Sequence, residues 1–199
     1  MSDQVIIVLG REHGSLGHEI AEELSEKFGI KLYDKKLLND LAEKYDMDED
    51  FVSKYDEKPM NPILDHLTSG MVMPLEHALA EKVFRYERAL AKSGESFVVV
   101  GRCADYVLQD NPNVVSVFIC GEPETKIKHL MEEKGLDYDA AKKEMNTVDK
   151  HRMAYHNTYA HTKWDETSSY GVMLNSSKLG KDKCVEMIIK YVELQQTGK

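Results

Sequence analysis

The sequence predicts an α/β domain in which five short parallel strands form a sheet covered on both faces by helices. Three observations carry that expectation. Short apolar runs at residues 5–9, 97–100 and 114–120 have the length of buried strands. Segments with apolar residues repeating every 3.6 positions stand between them. Parallel neighbours need such helical crossovers, whereas a hairpin would join antiparallel ones.

The elements follow in order. Residues 4–9 form the first strand, and residues 10–17 a glycine-containing loop. Next, Ile20, Ala21, Leu24 and Phe28 share one helix face and Glu22, Glu23 and Glu26 the other, with Gly29 as the stop. Residues 30–33 read as a short strand. Residues 35–45 read as a helix with Leu37, Leu38, Leu41 and Tyr45 inward. The acidic stretch 46–70, with Pro59 and Pro62, reads as a short helix and a connection.

Leu75, Leu79, Val83, Tyr86 and Leu90 make the stripe of a long helix over 75–92. Strands are expected at 97–101 and 114–120, then a helix over 122–134 with Ile127, Leu130 and Met131 inside. Asp137 is placed to cap a long, mostly polar helix reaching about Tyr159. A last strand at 170–174 and a last helix over 182–194 complete the pattern. No repeat, low-complexity tract or linker divides the chain, so residues 1–199 are expected to form one domain.

Composition excludes several classes. The chain is 42% hydrophobic and 31% charged, which is ordinary for a globular domain. Its formal charge of −9 argues against a general nucleic-acid binder, which needs a broad basic field. No apolar run reaches the ~18 residues of a membrane helix, and the N-terminus lacks a signal-peptide layout. Cys103, Cys120 and Cys184 form no CxxC pair and read as free thiols of a reducing compartment. The expected location is cytoplasmic, without membrane attachment. Only five arginines, Arg11, Arg85, Arg88, Arg102 and Arg152, stand against 21 lysines. Arginine has the rigid fork that fits phosphate oxygens, so its few positions mark candidate anion contacts.

In a parallel sheet, ligands bind beyond the carboxyl ends of the strands. The loop GREHGSLG follows the first strand and opens a helix, the context in which glycine-rich backbone cradles phosphate. Arg11, Gly14, Ser15, Gly17 and His18 are its candidate contacts. The pattern G-x-x-x-x-G-K-[ST] is not met, because no lysine follows the second glycine. A plain strand-to-helix turn would use the same glycines. His151, His156 and His161 are spaced by five, which spreads them around a helix and argues against a metal site.

Five blocks, in order, resemble the cytidylate kinase-like family. They are REHGSLGHEIAEELSEKFGIKLYDKKLL from Arg11, VVVGRCADYVL from Val98, VFICGEPETKIKHLMEEKG from Val117, VDKHRMAYHNTY from Val148 and KWDETSSYGVMLNSSKLG from Lys163. Two positions depart from the family pattern: Leu16 stands where it has glycine and His18 where it usually has arginine. The resemblance implies a P-loop fold with a helical lid near 137–165 and an acceptor-binding helical segment at 35–93. It also implies transfer of the ATP γ-phosphoryl group, with Mg²⁺, to CMP, dCMP or a similar monophosphate.

The resemblance further implies that Arg102 holds the acceptor phosphate and that Arg152 lies on the lid beside Asp149. Asp34 and Lys35, in the Tyr-Asp-Lys turn, match positions near the acceptor, and Arg85 is a further candidate there. Asn175 and Ser176 fall in the loop that similar kinases use beside adenine, and Tyr155 and His156 are placed to stack on a base or line the lid. Each position also has a bland reading. Asp34 caps a helix at Lys35 equally well, Arg85 fits a snorkelling edge residue, and turn chemistry explains Asn175 and Ser176. The alternative function is a nucleotide-binding or regulatory protein that keeps the kinase fold with little or no catalysis. The sequence identifies neither the magnesium ligands nor the oligomeric state.

Overall fold

The computed structural model describes residues 4–34 and 75–197. Within them the order is β1 (Ile6–Arg11), α1 (Gly17–Phe28), β2 (Lys31–Tyr33), α2 (Leu75–Ser93) and β3 (Phe97–Val100). Then come α3 (Ala104–Val107), β4 (Val114–Cys120), α4 (Pro123–Lys134), α5 (Tyr138–Tyr159), a 3-10 turn (Thr167–Ser169), β5 (Val172–Asn175) and α6 (Ser176–Thr197). The expected helix over 35–45 and the stretch 46–70 lie outside the described residues.

The five strands make one sheet in the order β2-β3-β1-β4-β5, and every pairing is parallel. Alternation along the strands divides the core in two. Ile6 and Val8 join Phe97 and Val99 beneath α2, α3 and Tyr155 of α5. Ile7 and Leu9 join Val98 and Val100 beneath α1 and α6. Both faces are therefore covered, which is why β1 and β3 read as unbroken apolar runs rather than alternating ones. A smaller cluster, Ile127, Leu130, Ala141 and Met145, fastens α4 to α5.

Helix ends follow local chemistry. Gly29 closes α1 at φ 62°, and the Asp137 carboxylate accepts the Ala140 N–H at 2.8 Å to start α5. Three details differ from the sequence reading. The short helix α3 was not expected. Strand β5 begins at Val172 rather than at residue 170. Helix α6 starts directly after it and is broken at Gly180, whose φ of 75° and ψ of 169° are not helical.

Strand β1 lies between β3 and β4, so the chain crosses over in both directions from the sheet centre. A crevice opens at its carboxyl end, the position at which such sheets bind ligands.

Candidate functional site

That crevice holds a cavity of about 410 Å³. Its walls come from the loop after β1, from Asp34 after β2, from Val100 and Arg102 at the end of β3, and from α4 and α5. The loop has the tight packing that a phosphate cradle needs. Gly14 sits at φ 79°, and a Cβ there would lie 2.7 Å from the Lys126 carbonyl oxygen. At Gly17 a Cβ would lie 2.5 Å from Arg11 Cβ. Leu16 takes φ 60° at the helix N-cap, a left-handed conformation that favours glycine. The family glycine and this leucine thus answer the same backbone demand, at a cost of about 1–2 kcal/mol for leucine.

Three of the five arginines, Arg11, Arg102 and Arg152, line this one cavity. Arg102 is buried, and its Nη1 donates to the Val100 carbonyl at 3.3 Å. Its backbone belongs to a run of three positive φ values, Gly101 at 78°, Arg102 at 56° and Cys103 at 59°. Strain of this kind persists where the surroundings over-determine it, and it turns the chain sharply at the end of β3. Arg152 reaches back from α5, its Nη1 donating to the Arg11 carbonyl at 3.3 Å. Arg85 is instead exposed on α2 and does not line the cavity.

His18 lies on the first turn of α1, half-exposed, with Nε2 3.4 Å from Glu22 and 3.8 Å from Asp34. It therefore faces carboxylates at the rim, beside Asp34. Lys35 lies outside the described residues. Ser15 is buried, with Oγ 2.8 Å from the Glu12 carbonyl and 3.1 Å from that of Ile119. Its hydroxyl is turned into the loop rather than toward the cavity.

Asp149 does not pair with Arg152 in the described contacts. Its Oδ1 accepts the His13 N–H at 2.6 Å, and its Oδ2 lies 3.2 Å from Lys126 Nζ. The His13 ring meets Glu144 at 2.9 Å, and Lys134 bonds the same carboxylate. Burial pulls the His13 pKa below its ordinary value, while the Glu144 hydrogen bond opposes that fall. The Glu144 carboxyl is held low mainly by its bond from Lys134, and also by that from His13. On the α4 side, His129 Nδ1 is 3.0 Å from the Gly14 carbonyl.

Tyr155 and His156 sit behind the cavity. Both are buried, and His156 Nε2 is 2.8 Å from Asp105 Oδ2, joining α5 to α3. They line a narrow crevice shared with Arg102, Arg152, Trp164 and Tyr170. Asn175 and Ser176 are engaged in turn bonds away from the cavity. Asn175 Oδ1 accepts the Ser177 N–H at 3.0 Å, and Ser176 Oγ donates to the Cys120 carbonyl at 3.1 Å.

A sequence model of the cytidylate kinase-like family matches residues 6–178. The chain belongs to this family.

A protein named cytidylate kinase from Archaeoglobus fulgidus is 22% identical over 191 residues, spanning 96% of each chain. The solved structure of an uncharacterised protein from Eubacterium ventriosum is 36% identical, covers 96% of this chain and 99% of its own, and superposes with a TM-score of 0.76. A shikimate kinase from Bacteroides thetaiotaomicron is 12% identical and covers 95% of this chain and 98% of its own. Its TM-score of 0.56 establishes likeness of fold alone. The expected P-loop kinase fold is therefore present in this cytidylate kinase-like chain.

Two buried charges outside the cavity lining were not expected from the sequence. Lys126, 5% exposed, bridges Glu12 at 3.0 Å and Asp149 at 3.2 Å. Glu87, 0% exposed on α2, has no hydrogen-bond partner for either carboxyl oxygen among the described residues. Burial pushes the Glu87 pKa well above the carboxylate range, against the nearby charge of Arg102. Among the described residues, no group of three His, Cys, Asp or Glu side chains is placed to hold a metal ion. No described helix is long and apolar enough to cross a membrane.

Proposed function

We propose that the chain is an ATP-dependent nucleoside monophosphate kinase, with CMP or dCMP as the favoured acceptor. The observation that carries this reading is the convergence of Arg11, Arg102 and Arg152 with a glycine-bearing loop on one cavity. In a protein with five arginines, that convergence supports a site for more than one phosphate group. The acceptor preference rests on the family and on the name of the archaeal relative.

The division of labour follows from position. The N-terminus of α1 opens on the cavity, and by helix geometry its first amides lack intrahelical partners. Those amides and the partial positive charge of the helix end hold the phosphates of ATP. Arg102, beyond β3 and across the cavity from α1, holds the acceptor phosphate, with Asp34 and His18 at the adjoining rim. Arg152, carried by α5, neutralises charge on the transferring group as that helix closes as a lid over the cavity. Phosphoryl transfer of this type demands positioning and charge neutralisation more than covalent chemistry, and three guanidinium groups supply both.

Mg²⁺ bound through nucleotide phosphates needs only one or two protein carboxylates. Glu12, Glu19, Asp34 and Glu133 line the cavity, and of these Asp34, beyond β2, is the carboxylate that would hold the ion, which would neutralise charge on the nucleotide phosphates. One observation keeps a second reading open: the loop has no lysine of its own, and His18 faces carboxylates. On that reading the chain binds nucleotides without turning them over.

The test is a panel of nucleoside monophosphates offered with ATP and Mg²⁺, with ADP release and nucleotide-dependent melting read in parallel. Turnover with CMP or dCMP above the other acceptors is the expected result. Stabilisation by nucleotides without turnover on any acceptor would overturn the kinase reading in favour of the second.

A further inference from the structure

We propose that Lys126 is a positioning residue: from α4 it sets the conformation of the phosphate loop and locks that loop to the helix carrying Arg152. This rests on the kinase reading for its catalytic arm only, since the loop's grip on polyphosphate can be measured without turnover.

A lysine side chain is rarely buried unless it is paired, and Lys126 is 5% exposed. Its ammonium lies 3.0 Å from Glu12 Oε2 and 3.2 Å from Asp149 Oδ2. Each carboxylate holds a backbone amide as well. Glu12 accepts the Gly121 N–H at 2.9 Å, and Asp149 accepts the His13 N–H at 2.6 Å. The main chain of Lys126 acts on the next loop residue, because its carbonyl oxygen lies 2.7 Å from where a Cβ of Gly14 would be. One residue of α4 thus bears on three consecutive loop positions, on 12 and 14 directly and on 13 through Asp149.

The same bridge reaches the lid. Asp149 and Arg152 are three residues apart on α5, so they share a face, and Arg152 itself bonds the Arg11 carbonyl. Any shift of the loop against α4 therefore moves the helix that carries Arg152. The ammonium is already engaged by two carboxylates, and the three groups together carry one net negative charge. Such a triad is suited to holding backbone in register rather than to binding a phosphate oxygen itself. It also accounts for a loop that keeps its shape with no lysine of its own.

Four variants test this: Lys126→Met, the neutral triple variant Glu12→Gln/Lys126→Met/Asp149→Asn, Arg152→Ala, and Lys126→Met combined with Arg152→Ala. The triple variant retains both amide acceptors and removes one net negative charge, so the field alone favours anion binding. Titration with inorganic tripolyphosphate should show at least tenfold weaker binding in the triple variant, even where its melting temperature returns to that of the wild type. Wild-type affinity in the triple variant would overturn the proposal, reducing Lys126 to charge balance. If Lys126→Met alone does not fold, the triple variant carries the binding arm. In the kinetic arm, Arg152→Ala should cost at least fivefold less in kcat on the Lys126→Met background than on the wild type. Independent, multiplying losses would overturn the link to Arg152. A wild type that binds tripolyphosphate but shows no turnover would fail the kinase reading while leaving the loop-positioning arm intact to be judged by the triple variant.

Discussion

Replacing Glu87 with leucine should make the protein more stable, and by an amount that grows with pH. Glu87 is wholly buried on the face of α2 that also carries Leu79, Val83, Phe84 and Leu90, and neither of its oxygens has a described hydrogen-bond partner. A buried polar group left unsatisfied costs about 1–3 kcal/mol. Leucine has a similar volume and no such cost. For a domain of this size each kcal/mol moves Tm by about 2–4 °C, so the variant should melt about 2–12 °C higher at pH 7. The pH dependence follows from linkage. Burial raises the folded-state pKa of Glu87 above its unfolded value, with Arg102 and Arg88 opposing and Asp105 assisting. The folded state therefore holds a proton that the unfolded state releases above about pH 4.3. The stability owed to that proton is complete below the unfolded pKa and is lost as pH rises toward the folded one, by at most about 1.4 kcal/mol per pH unit. Differential scanning calorimetry of wild type and Glu87→Leu from pH 4.5 to 8 reads both effects. A leucine variant that melts at or below the wild type at pH 7, or a difference that does not widen with pH, would refute the reasoning.

Arg102→Ala should lower kcat/KM for the acceptor about a hundredfold or more, as expected for a lost charge contact at a transferring phosphate, and steady-state kinetics on the folded variant checks it. Arg152→Ala should lower kcat more than it raises the KM for ATP, because a residue that acts as the site closes contributes chiefly to the reacting state; the ratio of the two parameters decides. Gly14→Ala places a Cβ 2.7 Å from a backbone carbonyl at φ 79°, so it should cost about 1–3 kcal/mol in urea unfolding and weaken tripolyphosphate binding.

What the sequence made legible was local or periodic. The Asp137 cap and the Gly29 stop depend on neighbours one to four residues away, and both formed as expected. The apolar runs of β1, β3 and β4 depend only on burial on both faces, and the parallel order followed from the helices between them. Arg102 and Arg152 were visible because arginine is scarce and both fall at strand ends or in family motifs, and both line the cavity. Helix α3 was not legible, because it is entered through left-handed Arg102 and Cys103, and neither residue type signals such a backbone. Lys126 and Glu87 sit in charged surroundings, KIKH and RYER, that read as solvated faces. Lys126 is buried by its pairing with Glu12 and Asp149, which are distant in sequence, and Glu87 by the packing of α2 on the sheet. Met131 was expected inward on α4 and packs, partly buried, against the α4–α5 cluster, while the cavity-facing His129, Glu133 and Lys134 of the same helix carried no sequence signal. Asp149 was grouped with Arg152 by spacing, yet the loop amide of His13 is its stronger claim.

The central claim is that the arginine-lined cavity joins two nucleotides for transfer between them. It is tested most directly by incubating the protein with Mg²⁺, CMP and ATP labelled in the γ-phosphate, and following the label by chromatography. The account predicts that label appears in CDP, one equivalent for each ADP formed, and that Arg102→Ala slows its appearance about a hundredfold. Label that stays in ATP, or that is released only as inorganic phosphate while CMP remains unchanged, would contradict it.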